Sequence, residues 1–297
     1  MTKQKCALVV LLGAPNSGKS TLLNAVIGNK VSIVSPKVQT TRGKVRGIYI
    51  QDNTQLVLTD TAGIFKPQRR LDRAMVSGAW SESDEADIRL VLIDVKKGVD
   101  KNTKLIIQNL EKSKQKAILI CNKIDTVKSE KLAALAAEMA QMDIWQDVFY
   151  LSAKTGKGIP ELLNYLTQKA PYSPWLFTAD EITDMPDRLF AAEVTREKLF
   201  FNLQNELPYH LTVETTLFKE TAQAIRIEQN IIVARAAYRM IILGRNGQMI
   251  KKIGQQSRTE LTKQFGKKVN LFLFVKVREK WTEDPNQYKP WGLDFNA

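Results

Sequence analysis

Cysteine and histidine are scarce in this chain. Two cysteines, Cys6 and Cys121, and one histidine, His210, are spread over 297 residues. That scarcity excludes a disulfide framework and any metal centre built from clustered cysteine and histidine ligands. Both cysteines sit in or beside apolar runs that read as buried strands, so they are expected to be core thiols. His210 lies just before a strand predicted to start at Leu211, where a lone histidine is expected to be structural. No apolar run reaches the roughly 18 residues that a membrane-crossing helix needs. Met1-Thr2-Lys3-Gln4-Lys5 leads straight into the first strand and leaves no room for a signal or transit peptide, so a cytoplasmic location is expected. Acidic residues are also in short supply: 31 Asp and Glu stand against 44 Lys and Arg, a formal net charge of +13. Such an excess favours a polyanionic partner, either nucleic acid or an anionic membrane surface. The hydrophobic share of 44% and charged share of 25% are those of a soluble globular protein. The length suits about two domains, each large enough to bury a core.

What is present is organised around Gly13-Ala14-Pro15-Asn16-Ser17-Gly18-Lys19-Ser20-Thr21. Glycine, four residues, then Gly-Lys-Ser is the phosphate-loop pattern. It follows the unbroken apolar run Ala7 to Leu12, as in a strand buried on both faces, and precedes a helix ending near Gly28. Glycines let backbone N–H groups converge on a polyphosphate, and the helix N-terminus adds unpaired donors and partial positive charge. Gly13, Asn16, Ser17, Gly18, Lys19, Ser20 and Thr21 are therefore candidate phosphate contacts. Lys19 would reach the β- and γ-phosphates, and the Ser20 hydroxyl would hold Mg²⁺.

Further motifs close predicted strands downstream. Val45 to Ile50 and Leu56 to Thr59 read as two strands, the second ending in Asp60-Thr61-Ala62-Gly63. Asp60 can reach Mg²⁺ through a water, and the Gly63 N–H can approach a γ-phosphate. The strand Gln115 to Cys121 ends in Asn122-Lys123-Ile124-Asp125, which carries the base specificity. The Asp125 carboxylate can accept from both N1–H and the exocyclic amine of guanine, whereas adenine has no such donor pair. Each lost charged bond discriminates by about 1–3 kcal/mol. Asn122 would brace the loops and the Lys123 stem would cover the base. Val148 to Leu151 ends in Ser152-Ala153-Lys154, whose backbone could meet guanine O6.

Together these motifs resemble a translation-factor-related GTPase domain. That resemblance implies a loop threonine, Thr40 or Thr41 with Thr41 preferred, that closes on Mg²⁺ and γ-phosphate in the GTP state. Lys19, Thr41 and Gly63 are then the candidate catalytic groups, and Ser20, Thr41 and Asp60 the metal set. Many signalling GTPases place a water-orienting glutamine after Asp-x-x-Gly. Here that position is Ile64, which cannot hydrogen-bond, and no arginine finger is identifiable. The site is expected to bind GTP well and hydrolyse it slowly, with GDP as product.

Beyond a helix opened by Pro160, the prolines Pro171 and Pro174 mark a linker. The expected division is a GTPase domain over 1–172, a linker over 173–185, and a second domain with its tail over 186–297. The second part reads as a helix from Asp187 to Leu207, then strands at Leu211–Leu217, Ala224–Ala234 and Ala237–Leu243. Gly244-Arg245-Asn246-Gly247 follows, opening a segment with Ile250 and Ile253 on one face and Lys251 and Lys252 beside the loop. A final strand covers Val269 to Val275. This order reads as a KH module, whose Gly-x-x-Gly loop clamps a single-stranded backbone. Gly244, Arg245, Asn246, Gly247, Ile250, Lys251 and Lys252 are the candidate RNA contacts. Residues 239–280 carry 11 basic and 2 acidic side chains, whereas 176–238 carry 6 and 10. The positive excess thus gathers around the glycine loop.

The whole chain resembles the Era-like GTPase family. The match rests on Gly13–Ser20, Gln39-Thr40-Thr41-Arg42, Asn122–Asp125, Ser152–Lys154, Arg196-Glu197-Lys198, Glu206-Leu207-Pro208-Tyr209 and Gly244–Gly254. Ala62 stands where the family usually has proline, and Asn246 where a glycine is common. The resemblance implies an α/β P-loop GTPase domain, with a mainly parallel mixed sheet and helices on both faces, followed by an α+β type II KH domain. It also implies Mg²⁺ as cofactor, a monomer, binding to the 3′ end of 16S ribosomal RNA, and a role in late assembly of the 30S subunit. Peripheral association with the inner membrane accompanies these in some members. Two other classes stand against this reading: a membrane-surface regulatory GTPase and an ATP-driven enzyme.

Overall fold

The computed structural model describes every residue except Met1, Thr2, Val38, Gln39 and Ala140. Val38 and Gln39, which directly precede the expected loop threonine, Thr40 or Thr41, therefore lie outside the described residues. The chain divides into two compact units.

The first unit is built on a six-stranded sheet. In chain order its elements are β1 (Lys5–Gly13), α1 (Lys19–Ile27), β2 (Val45–Gln51), β3 (Thr54–Asp60), α2 (Arg70–Glu85), β4 (Ile88–Asp94), α3 (Lys101–Ser113), β5 (Ala117–Asn122), α4 (Ser129–Met139), β6 (Trp145–Leu151) and α5 (Ile159–Lys169). The strand order is β2-β3-β1-β4-β5-β6, parallel except for β2, which pairs antiparallel to β3. Residues of β3 and β5 are buried throughout, because helices must cover both faces of a parallel sheet. β1 lies between β3 and β4, the neighbours reached by connections running in opposite directions. Its carboxyl end is thus a topological switch point, where such sheets bind ligands. The phosphate loop occupies that end.

Two helices of this unit, α3 and α4, were not among the elements expected from the strand runs. For α3 the signal is local. The Asp100 carboxylate accepts from the Thr103 N–H at 2.7 Å as an N-cap, and Thr103, Ile106, Ile107 and Leu110 turn inward.

The second unit contains α6 (Asp187–Asn202), β7 (Leu211–Glu220), β8 (Ala224–Val233), α7 (Ala236–Leu243), α8 (Gln248–Phe265) and β9 (Lys268–Val277). Its sheet runs β7-β8-β9, with β7 antiparallel and β9 parallel to β8. The run Ala237–Leu243, expected as a strand, is helix α7. A short apolar run does not reveal its period, and here two alanines open a helix that Gly244 ends, its N–H donating to Met240 O. The Gly-x-x-Gly loop consequently joins two helices rather than following a strand. The expected helix to Leu207 stops at Asn202, ahead of a 3₁₀ turn at Leu207–His210.

The unit boundaries also differ from those expected. Residues 173–184 belong to the first unit, where Leu176 and Phe177 N–H both donate to Gln55 Oε1 and Ile48 N–H donates to Ile182 O. Residues 291–297 belong there too, rather than with the KH fold. Ile33–Thr40 belongs to the second unit. There Glu197 Oε1 accepts from Val34 N–H at 3.0 Å, and the buried Arg196 donates to Thr40 O while paired with buried Glu193.

Candidate nucleotide site and RNA-binding loop

Local backbone chemistry shapes the phosphate loop. Asn16 and Gly18 adopt positive φ, 64° and 105°. A Cβ on Gly18 would lie 2.2 Å from Asn122 Nδ2, so glycine is required both by conformation and by space. α1 then starts at Lys19 with no side-chain cap, leaving its first N–H groups for a ligand. Thr21 lies half-buried in this first turn. Lys19 Nζ donates to Gly13 O at 3.1 Å and to Ala14 O at 3.4 Å, inside the cradle of the loop. Burial pulls the Lys19 ammonium down to about 8, and the Asp60 carboxylate opposes that shift. An arriving phosphate would stabilise the charged form.

Asp60 gathers the cation-binding groups. Its Oδ2 accepts from Ser20 Oγ at 2.6 Å, Ser32 Oγ at 2.8 Å and Thr41 Oγ1 at 3.1 Å, and Ser20 and Thr41 hydroxyls lie 3.0 Å apart. Burial raises the Asp60 carboxyl, against the lowering effects of Lys19 and the three hydroxyls. Its Oδ1 is buried with no hydrogen-bond partner among the described residues. An orphaned carboxylate oxygen beside two hydroxyls fits a hard divalent cation such as Mg²⁺, which takes few protein oxygens and leaves the rest to phosphate and water. Thr41, not Thr40, is the threonine in this group. The Thr40 hydroxyl instead meets Ser35 Oγ at 2.7 Å and Lys37 O at 2.9 Å. Sequence reasoning missed Ser32, which stands alone between loops with no motif around it.

Gly63 sits against the phosphate loop: a Cβ there would lie 2.9 Å from the Cα of Pro15. The next residue donates its N–H to Gly13 O at 3.1 Å, and the Ile64 side chain is fully buried in the apolar core beside Val10, Leu12 and Val91. It offers no polar atom to water.

The base-reading loops are tied together by one side chain. Asn122, buried at the end of β5, donates from Nδ2 to Ser17 O at 2.8 Å, and its Oδ1 accepts from Lys123 N–H at 2.8 Å and Ala153 N–H at 3.0 Å. Lys123, at φ 68°, bridges Asn16 O and Asp94 Oδ2, each at 2.7 Å. Asp94 was not anticipated. It ends β4 just as Asn122 ends β5, and the two are register partners. Ser152 and Ala153 are buried, with Ser152 Oγ accepting from Thr155 N–H at 3.2 Å, while Asp125 and Lys154 are exposed. All the expected loops thus converge on the carboxyl ends of β1, β3, β5 and β6.

In the second unit Gly244 and Gly247 both take positive φ, 71° and 75°, and Asn246 does so at 50°, a conformation its short polar side chain tolerates. A Cβ on Gly244 would strike Met249, whereas around Gly247 there is open space. Gly247 caps α8, so the helix's free N–H groups face that opening. Arg245, Lys251 and Lys252 are exposed, and Ile250 packs against the core beneath. Met240 and Ile241 on α7, 68% and 53% exposed, add an apolar flank that the strand assignment had hidden.

Comparison with known proteins bears on both units. A family pattern described as a 50S ribosome-binding GTPase matches residues 8–123, and a KH domain pattern matches residues 206–282. GTPase Era of Afipia carboxidovorans is 48% identical over 292 residues, spanning 98% of this chain and 95% of that protein. The chain belongs to the GTPase Era family. GTPase Era of Caulobacter vibrioides is 46% identical, with 100% of this chain and 98% of that protein covered. Two solved Era structures superpose at a TM-score of 0.92, each at 36% identity with 97% of this chain and 99% of the other covered. One is a tyrosine-to-alanine variant of Era from Aquifex aeolicus bound to GDP·AlF4⁻; the other is Era with MgGDPNP and nucleotides 1506–1542 of 16S ribosomal RNA. This Era family member is a GTPase, with a P-loop domain followed by a KH domain and with Mg²⁺ and GTP as its cofactor and substrate.

Proposed function

We propose that the chain is a GTP-dependent RNA-binding switch that engages the 3′ end of 16S ribosomal RNA and assists late assembly of the 30S subunit. The observation that carries this reading is the Gly244–Gly247 loop at the start of α8. It is open on one side and flanked by three exposed cations, on the same chain as a guanine site. The open side suits a sugar–phosphate backbone, and the exposed Met240 and Ile241 suit the bases it carries. The Era complex with a 16S ribosomal RNA fragment supports the choice of RNA.

At the nucleotide site, Ser20, Asp60 and Thr41 would hold Mg²⁺, which when bound would offset charge on the phosphates. Lys19 and the backbone N–H groups of Gly13, of Asn16 to Thr21 and of Gly63 bind and orient the triphosphate, with stabilisation greatest where charge develops. Asp125 reads guanine, and Asn122, Lys123, Ser152, Ala153 and Lys154 frame it. Ile64 supplies no group that orients water, so this chain alone turns GTP over slowly. The protein acts as a cytoplasmic monomer.

The test is RNA crosslinking with GTP, GDP and no nucleotide, comparing wild type with Gly247→Asp. Aspartate tolerates the left-handed backbone there and has room, so the fold should survive while a carboxylate faces the RNA phosphates. Crosslinks to the 16S 3′ end should fall at least about tenfold in the variant. Unchanged crosslinks would remove the RNA assignment.

A further inference from the structure

The segment 291–297 lies across two stretches of the first unit that flank the γ-phosphate position. On one side is Arg42-Gly43-Lys44, which directly follows Thr41. On the other is α2, which follows Asp60-Thr61-Ala62-Gly63. Trp291 is buried, and Trp291, Gly292 and Leu293 share a pocket wall with Arg42, Thr61 and Met75. Further along, the Arg70 guanidinium stacks 4.4 Å from the Phe295 ring centroid and its Nη1 donates to Phe295 O at 3.4 Å.

The contact is built into the loop. Gly43 has no positive φ, so conformation does not demand glycine there. Space does: a Cβ on Gly43 would lie 2.6 Å from Trp291 O and 2.7 Å from Trp291 Cβ. Likewise a Cβ on Gly78 of α2 would meet Leu293 Cδ2 at 3.2 Å. Lys44, whose stem passes Gly292, is ion-paired to Glu82 of α2 at 2.8 Å, which closes the same seam. With the segment docked, the Thr41 hydroxyl points at Asp60 and Ser20, the arrangement that a cation and γ-phosphate require.

We infer that Trp291, with Leu293 and Phe295, positions the Thr41 loop, so that docking of this segment favours GTP over GDP. By linkage, whatever holds the loop on the metal site strengthens the ligand that needs it there, and GTP in turn holds the segment down. Trp291 is a positioning residue, acting through the Gly43 backbone against which it packs. The inference rests on Thr41 being the γ-phosphate-sensing threonine, so Thr41→Ala serves as the reference.

The experiment measures affinities for fluorescent GDP and a non-hydrolysable GTP analogue, with Mg²⁺, in full-length wild type, Trp291→Ala, Trp291→Phe, Gly43→Ala and Thr41→Ala. Trp291→Ala should weaken the GTP analogue at least about fivefold more than GDP, and Trp291→Phe should restore the ratio to within about twofold of wild type. Gly43→Ala, which pushes the segment off from the loop side, should reproduce the alanine result. A merely structural role for Trp291 would lower both affinities together. If Thr41→Ala shifts the ratio and neither Trp291→Ala nor Gly43→Ala does, the positioning role is overturned while the Thr41 assignment stands. If Thr41→Ala leaves the ratio unchanged, both fall.

Discussion

Replacing Asn122 by alanine should uncouple the three loops that frame the base. The wild-type side chain is 1% exposed and makes three hydrogen bonds, at 2.8, 2.8 and 3.0 Å: one to the Ser17 carbonyl, one from the adjacent Lys123 N–H and one from the Ala153 N–H, so that it ties its own loop to two others. At about 1 kcal/mol net for each, the loss is about 3 kcal/mol, and the buried Ala153 N–H is left without its acceptor. In a unit of this size that lowers the melting temperature by roughly 6–12 °C. Spent wholly on binding, the same energy would be a factor of about 100 in affinity. Because part of it appears as lost stability, GDP binding is expected to weaken by at least about tenfold. Fluorescent-GDP titration and thermal melts with and without nucleotide measure both shares. Asn122→Asp keeps the acceptor for Ala153 but turns an oxygen toward Ser17 O, so it should do no better than alanine. If Asn122→Ala binds GDP within about threefold of wild type and melts within about 2 °C of it, the side chain is not the tie described here.

The two adjacent threonines should separate cleanly: Thr41→Ala slows Mg²⁺-dependent GTP hydrolysis by at least about tenfold, whereas Thr40→Ala, whose hydroxyl bonds Ser35 and Lys37 of its own segment, stays within about threefold in single-turnover assays. Arg196→Met leaves Glu193 buried without its cation and should cost about 3–5 kcal/mol in urea unfolding, with the double variant Glu193→Gln/Arg196→Met recovering part of it; a loss under about 1 kcal/mol would refute the pairing. Burial pushes the Cys121 thiol up to about 12 and raises Cys6 as well, so a thiol reagent at about pH 8 should label neither in the native protein and both once it is unfolded.

The nucleotide loops were legible in the sequence because each is fixed by covalent neighbours. A glycine in the left-handed region, a helix opening at Lys19 and an aspartate closing a buried strand are short-range requirements, and Gly13–Thr21 and Asn122–Asp125 show them without any fold in hand. The central strands were legible for a related reason: burial on both faces leaves continuous apolar runs. Helix α7 was not, since its 8 mostly apolar residues suit either period and only packing against the KH sheet decides.

Other features depended on contacts distant along the chain. The choice of Thr41 over Thr40 turns on which hydroxyl reaches Asp60, 19 residues on, and adjacent residues cannot both point there. Ser32 joins Asp60, and Asp94 joins Lys123, without belonging to any pattern. Segment 291–297 folds back on residues far earlier in the chain, Phe295 on Arg70 at a separation of 225 positions and Trp291 on the still more distant Gly43, which is glycine because of it. Sequence alone determined which groups could bind a guanine nucleotide and an RNA strand, since those properties reside in residue type and local backbone. Tertiary structure decided which hydroxyl, which carboxylate and which distant tryptophan attend the site, because those are fixed by side chains that only folding brings together.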